Sequence, residues 1–160
     1  MTAGDNLPEI AFAIEAGGWR PAEDEETVAR AIAEATRDLP HEIAGAELSI
    51  VLTDDDAIRK INAQWRGKDA PTNVLSFPAA PVQGAPRLLG DIVIAFETTT
   101  REAKDEGKPF AHHLSHLAVH GFLHLLGYDH ESDAQADDME RLERDILARL
   151  GVPDPYAARK

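Results

Sequence analysis

Three histidines in the run HGFLHLLGYDH, residues 120–130, have the spacing of a metal site. His120 and His124 lie four residues apart, so on a helix they point to the same side and can reach one ion. On a continuous helix His130 would lie about 15 Å beyond His120, so the chain must turn back first. Gly127 stands where that turn is needed, because glycine readily adopts the left-handed conformation that ends a helix. The spacing therefore predicts one ion bound by all three histidines.

The ligand types indicate which metal is bound and what kind of site holds it. The sequence contains no cysteine, so any metal must be held by His, Asp or Glu. Three neutral imidazoles suit zinc first, with nickel, copper and iron as alternatives, and one Zn²⁺ per chain is predicted. Three protein ligands leave a position for water, which is typical of catalytic rather than structural zinc.

The residue directly after His120 separates two kinds of chemistry. Zinc proteases with this histidine spacing carry a glutamate there as general base, whereas this chain has Gly121. Peptide hydrolysis by that route is therefore not expected. Cleavage of a phosphodiester makes a different demand, because charge develops on phosphoryl oxygens that a metal and an arginine can stabilise. Arg66 is the candidate arginine, since a planar guanidinium suits bidentate contact with phosphate.

The charge distribution bears on whether a polyanion can bind. The net charge of −13 disfavours binding through the whole surface. The bases are concentrated, however, because residues 57–68 contain four bases and no acid. This window predicts either a patch that contacts RNA or an ordinary solvated helix face. Aromatic residues that could stack on bases are few, and Trp65, Phe77 and Tyr128 are each interpreted as packing residues.

For several other polar residues near the motif, the sequence is compatible with more than one role. His116 lies one helical turn before the first ligand and is interpreted as a packed or hydrogen-bonding residue rather than a ligand. His112 and His113 are expected at the surface. Asp91 and Asp129 are candidates to orient the imidazoles, but Asp91 also suits a turn cap and Asp129 suits an exposed position.

Periodicity and helix-breaking residues predict the elements that position these side chains. Thr53 and Asp56 have the spacing of a capping box, and Ser132 or Asp133 suits the start of the last helix. Residues 81–87 are predicted to form a loop. The predicted strands are 9–16, 46–54, 73–77 and 90–97. The predicted helices are 21–37, one from the Thr53 cap to about 65, 98–107 (or an extended turn), 109–126 and 133–150.

This order of elements favours an α+β fold for residues 1–160 as a single domain, with its motifs between about 46 and 150. A small mixed β-sheet is expected to be packed by helices, and the metal site to lie on a buried central helix. No apolar stretch is long enough to cross a membrane, and the first ten residues lack the features of a signal peptide. Together with the absence of cysteine, this predicts a cytoplasmic location.

The histidine run, with NAQWRGKDAPTNVLSFP at 62–78 and LGDIVI at 89–94, resembles the YbeY-type bacterial rRNA maturation endoribonucleases. The resemblance implies a small α+β domain with a mixed sheet. It also implies a single-strand-specific, metal-dependent endoribonuclease that acts in 3′-end maturation of small-subunit (16S) rRNA and in ribosome quality control. The implied partners are single-stranded RNA or rRNA, and the ribosome or ribosomal proteins.

The same resemblance assigns roles to four residues. His120, His124 and His130 match the zinc ligands of that family, and Arg66 matches its functionally important arginine. Arg66 and His120 are therefore the predicted catalytic residues. The acidic balance of this chain departs mildly from what an RNA enzyme suggests, so RNA binding is expected to depend on residues 57–68.

Two other functions stay open at this stage. One is a metallopeptidase that takes its general base from elsewhere, with Glu131 and Asp129 as candidates. The other is a non-enzymatic factor that docks on ribosomal RNA or proteins and uses the metal only to stabilise its fold. An RNA cleavage assay separates both alternatives from the nuclease.

Overall fold

The computed structural model describes residues 6–80 and 87–157, and it confirms the predicted α+β fold. The predicted loop at 81–87 lies outside the described residues except for Arg87. In chain order the elements are β1 (Glu9–Ile14), α1 (Pro21–Thr36), β2 (Glu47–Thr53), α2 (Asp55–Arg66), β3 (Val74–Pro78), β4 (Leu88–Ala95), α3 (Phe96–Asp105), α4 (Phe110–Leu125) and α5 (Asp133–Arg149).

The four strands form one mixed sheet in the order β1-β2-β4-β3. Strands β1, β2 and β4 run parallel to one another, and β3 runs antiparallel to β4. The apolar run of β4 correctly predicts a strand inside the sheet, because both faces of an inner strand are covered. Strand β3 lies at an edge of the sheet, so one side of its backbone is not paired within the sheet.

The sheet has a helical layer on each face. Ile50 and Ile92 point into the larger core, which α1, α4 and α5 complete. Their strand neighbours Val51 and Val93 point the other way, into a smaller core with Ile58 of α2. This alternation follows from the two-residue period of a strand, and it places α2 and α4 on opposite faces of the sheet.

Helix α4 is the predicted central helix, since most of its residues are buried. It begins after Pro109, which has an extended conformation, and it ends before Gly127, whose φ of +101° is in the left-handed region. Ser132 then caps α5, because its side chain accepts a hydrogen bond from the backbone N–H of Gln135. Neither α4 nor any other described helix is long and apolar enough to cross a membrane.

Helix α2 begins at a different cap from the one predicted. The side chain of Asp54, not Thr53, accepts the hydrogen bond from the backbone N–H of Ala57. The predicted capping box of Thr53 and Asp56 is therefore wrong, because Thr53 still belongs to β2 and is buried. Gly67, with φ of +71°, ends the helix in the left-handed conformation as predicted.

Candidate metal centre

A cleft of about 820 Å³ lies along one side of α4, and the predicted site residues meet in it. Edge strand β3 and the end of α2 form the opposite wall, and the turn after α4 closes one end. His120, His124 and His130 line this cleft, and so does Arg66 from α2. The fold therefore brings together side chains from three separate segments of the chain.

His120 and His124 face each other through their Nε2 atoms, which are 3.1 Å apart. Two nitrogens that bind one zinc at about 2.0–2.1 Å, with a near-tetrahedral angle, lie roughly 3.3 Å apart. The ring of His130 lies 5.3 Å from that of His124 and 6.2 Å from that of His120, measured between ring centroids. The arrangement suits an ion shared by the three rings, and their assignment as ligands stays a prediction.

Glu143 of α5 orients His120 from the side away from His124. Its Oε2 lies 3.1 Å from Nδ1 of His120, and its side chain is fully buried. Burial opposes the ionised form of Glu143, but hydrogen bonds from His116 and His120 outweigh it and lower the pKa to about 2. An ionised carboxylate accepts the Nδ1 hydrogen of His120, so the lone pair of Nε2 stays available to a metal.

Sequence reasoning missed Glu143, although the sequence contains a signal for it. The inward face of α5 includes Met139, Ile146 and Leu147, and Glu143 lies on the same face because it is four residues after Met139. A glutamate on an apolar face is almost never fully buried without a partner. That position predicts a buried partner, but it does not tell which residue the partner is.

His116 and Tyr156 complete the hydrogen bonds of this carboxylate. Nε2 of His116 lies 2.8 Å from Oε1 of Glu143, and the hydroxyl of Tyr156 donates to the same oxygen at 2.6 Å. The bond from His116 agrees with its interpretation as a hydrogen-bonding residue. It also explains why Glu143 stays ionised although it is buried.

Two groups of side chains in the described part of the chain could hold a metal ion. They are His116, His120 and Glu143, and His124, Asp129 and His130. Glu143 of the first group is enclosed and already hydrogen-bonded to both of its histidines, whereas all three residues of the second group line the open cleft. The groups adjoin at the contact between His120 and His124, which makes this contact the centre of the candidate site.

The protonation of His124 also suits a metal ligand. Burial lowers the pKa of this imidazole, and positive charge on His120 or His130 lowers it further. An imidazole with a pKa below its ordinary value is neutral at neutral pH and presents a free lone pair. Because metal ions bind the neutral form, the surroundings of His124 favour binding over protonation.

The prediction that His113 lies at the surface is wrong. Its side chain is buried, and its Nε2 lies 2.8 Å from Oε1 of Glu102 in α3. The same oxygen accepts a hydrogen bond from the side chain of Asn73. Burial opposes the ionised form of Glu102, but these hydrogen bonds outweigh it and lower the pKa. The sequence does not reveal that α3 packs against this side of α4, which is why the burial of His113 was missed. His112 is partly exposed, in agreement with the prediction.

The two aspartates proposed to orient the imidazoles have different positions. Asp91 lies in β4 and lines a separate cleft beside β1 and β2, so the interpretation that it orients a histidine is wrong. Asp129 lines the histidine cleft, and its Oδ1 accepts a hydrogen bond from the backbone N–H of His130. Asp129 therefore fixes the turn that carries His130.

Gly121 faces the sheet rather than the cleft. A Cβ at this position would lie 3.1 Å from Cγ2 of Ile92 and 3.1 Å from Oγ of Ser76, which is closer than ordinary van der Waals contact. The hydroxyl of Ser76 also donates to the carbonyl of Gly121. A side chain here would press on these two residues, so the glycine permits close packing of α4 on the sheet and leaves the position without a base. Of the two alternative bases, Glu131 does not line the cleft and Asp129 does.

Comparison with known proteins decides the family. A family model described as "Endoribonuclease YbeY" matches residues 15–151. The chain belongs to the YbeY family. Related YbeY proteins include one from Rhodopseudomonas palustris strain CGA009, which is 61% identical over 94% of this chain and 82% of its own length. Another, from Bradyrhizobium diazoefficiens, is 56% identical over 96% of this chain and 88% of its own length. Both are named Endoribonuclease YbeY.

A solved structure supports the same fold. The solution structure of TM1509 from Thermotoga maritima matches this YbeY chain with a TM-score of 0.55 and 23% sequence identity. The match includes 88% of this chain and 91% of the other. At that identity the similarity shows the fold alone, and it agrees with the mixed sheet and packed helices described above.

Proposed function

We propose that this YbeY protein is a zinc-dependent endoribonuclease that cleaves single-stranded RNA. As a member of the family, the chain is an endoribonuclease, a hydrolase that cuts RNA internally. In the proposed site His120, His124 and His130 hold one Zn²⁺. The observation that carries the proposal is the 3.1 Å contact between Nε2 of His120 and Nε2 of His124, in a cleft that Arg66 also lines.

Each residue of the proposed site has its own role. A bound zinc supplies Lewis-acid chemistry towards a phosphodiester. Arg66 contacts the phosphate and stabilises the negative charge that develops on its oxygens. Glu143 holds the ring of His120 in place and keeps its Nε2 unprotonated, while Asp129 fixes the turn before His130. Gly121 leaves the site without the base that peptide hydrolysis would need.

We extend the proposal to the cellular task that the family resemblance implies. The substrate is then single-stranded rRNA, cut in 3′-end maturation of 16S rRNA and in ribosome quality control, with the ribosome or ribosomal proteins as partners in the cytoplasm. The names of the related proteins support cleavage of RNA. The family motifs at 62–78 and 120–130 support the more specific task.

Metal analysis combined with an RNA cleavage assay tests this function. We expect about one zinc per purified chain and cleavage of an end-labelled, unstructured oligoribonucleotide, with both lost in His124→Ala. Arg66→Ala should retain the metal and lose most of the cleavage, because the arginine acts on the phosphate and not on the ion. Loss of metal in Arg66→Ala would contradict this division of roles.

Two matched variants control for general damage to the fold. His112→Ala removes a histidine of α4 that does not line the cleft, and Arg59→Ala removes an arginine of α2 that is paired with Asp56 and Asp69. Both should cleave like the wild type. Cleavage of an unstructured polypeptide that depends on His124 would favour the peptidase. A protein that loses thermal stability on chelation but never cuts RNA would favour the accessory factor.

A further inference from the structure

Trp65 is the feature that the proposed function leaves unexplained. It belongs to the same side of α2 as Ile58 and Ile61, which pack against the sheet, so helical spacing predicts burial. Its side chain is instead 67% exposed. Tryptophan is rarely left so exposed, because burial of its large apolar surface is worth several kcal/mol, about 25 cal/mol per Å². The interpretation of Trp65 as a packing residue is therefore wrong.

The indole lies beside the proposed active site. Its only ring contact among the described residues is with Phe77 of β3, with the centroids 6.3 Å apart and the planes tilted by 59°. Phe77 is half-buried against the smaller core and also lines the histidine cleft. The exposed indole of Trp65 and the phenyl ring of Phe77 that supports it form a platform beside edge strand β3.

Two cations, Arg66 and Lys68, follow Trp65 closely in the chain. In the described part of the chain no carboxylate pairs with Arg66 or Lys68, whereas Arg59 and Lys60 of the same helix are paired with Asp56. Both unpaired cations are exposed. In a chain with net charge −13, unpaired cations next to an exposed aromatic ring provide a local site for an anion that also carries a flat ring.

We propose that the indole of Trp65, supported by Phe77, stacks an unpaired nucleobase of the RNA, while Arg66 and Lys68 contact its phosphates. This inference rests on the proposed function and adds a binding site to it. A base can stack on a side chain only if it is not held inside a duplex, so the platform gives the enzyme a reason to select single strands. The RNA crosses the free edge of β3, from the platform on the α2 side to the histidines on the α4 side.

Fluorescence tests the platform directly, because the chain has only two tryptophans and Trp19 is buried. In a Trp19→Phe background, an unstructured oligoribonucleotide should protect Trp65 from quenching by acrylamide, and a perfect duplex of the same length should not. The added substitution His124→Ala prevents cleavage during the measurement. Equal protection by duplex and single strand would overturn the proposal.

Substitutions measure the contribution of the ring. Trp65→Ala should weaken binding of the single strand by about 5- to 150-fold, the range for one stacked base, and should raise KM with little change in kcat. Trp65→Phe should restore most of the affinity, and Trp65→Leu should not, because leucine is apolar but has no ring face. Leu88→Ala, at another exposed apolar residue, controls for non-specific contact and should bind normally.

The outcomes distinguish a failure of the platform from a failure of the proposed function. If the wild type neither binds nor cuts RNA, the proposed function itself fails. If the wild type cuts RNA and Trp65→Ala binds it equally well, only the platform fails. Protection of Trp65 by an unstructured polypeptide but not by RNA would show that the platform binds a protein partner. That result would overturn its assignment to a nucleobase.

Discussion

At the scale of single residues, the candidate site depends on a carboxylate outside the histidine motif. Glu143 is fully buried and receives hydrogen bonds from His116, His120 and Tyr156. A buried carboxylate stays ionised only if such partners replace the water that it has lost. The candidate site therefore extends to Glu143 on α5, which holds the ring of His120 by a hydrogen bond.

Glu143→Gln should weaken zinc binding. The amide removes the negative charge and places an NH₂ group against imidazole nitrogens, so the ring of His120 loses its fixed orientation. Loss of such an orienting partner typically lowers metal affinity by about 10- to 100-fold. Competition with a chromophoric chelator measures the change. Asp137→Asn, at an exposed position of the same helix, should leave the affinity unchanged, and equal affinities for all three proteins would contradict this role of Glu143.

At the scale of elements, the close contact of α4 with the sheet positions the histidines. Gly121 allows this contact, because even a methyl group there would press on Ile92 and Ser76. The helix thereby presents His120 and His124 to the cleft, while Gly127 lets the chain turn back with His130. The histidines can meet in the cleft only because α4 is held this close to the sheet.

Gly121→Ala should lower the free energy of unfolding by up to about 2 kcal/mol, because overpacking costs about 1–3 kcal/mol and the higher helix propensity of alanine offsets up to about 1 kcal/mol of it. Denaturant titration followed by circular dichroism gives this value. Gly17→Ala is the matched control, since a Cβ at Gly17 meets no atom within 4 Å, and its effect should be at most about 1 kcal/mol in either direction. A Gly121→Ala variant as stable as the wild type would show that the sheet yields at this contact.

At the scale of the whole molecule, charge is separated between the acidic bulk and one short basic region. The acidic surface disfavours RNA in general, so we expect binding to be concentrated near Arg66, which lines the cleft, and Lys68, which follows it in the chain. Under the proposal, productive binding is restricted to strands that approach along the end of α2. It also predicts that few phosphate contacts are made.

The salt dependence of RNA binding should therefore be shallow. Each phosphate contact to a single strand contributes about 0.7 to the slope of log K against log salt concentration, so Arg66 and Lys68 together predict a slope of about −1.4. Lys68→Ala should reduce its magnitude by about 0.7, measured by fluorescence anisotropy. Lys60→Ala should change it little, because Lys60 is paired with Asp56. A steep slope that neither variant alters would place the RNA elsewhere.

Local features of this protein could be predicted from its amino-acid sequence. The order of strands and helices, the ends at Gly67 and Gly127, and the shared helical side of His120 and His124 all followed from residue type and spacing. These features depend on backbone preferences and on the fixed periods of helix and strand, which act over a few residues. The sequence also showed that Gly121 occupies the position, directly after His120, at which zinc proteases carry their glutamate base.

Contacts between side chains that are distant in the sequence became visible only in the folded chain. Glu143 reaches His120 from another helix, His113 is buried against α3, and Asp91 lies away from the histidines. The fold also leaves Trp65 exposed on a helix side whose spacing predicts burial. The physical reason is that periodicity gives the direction of a side chain relative to its own element, whereas its neighbours depend on how separate elements pack.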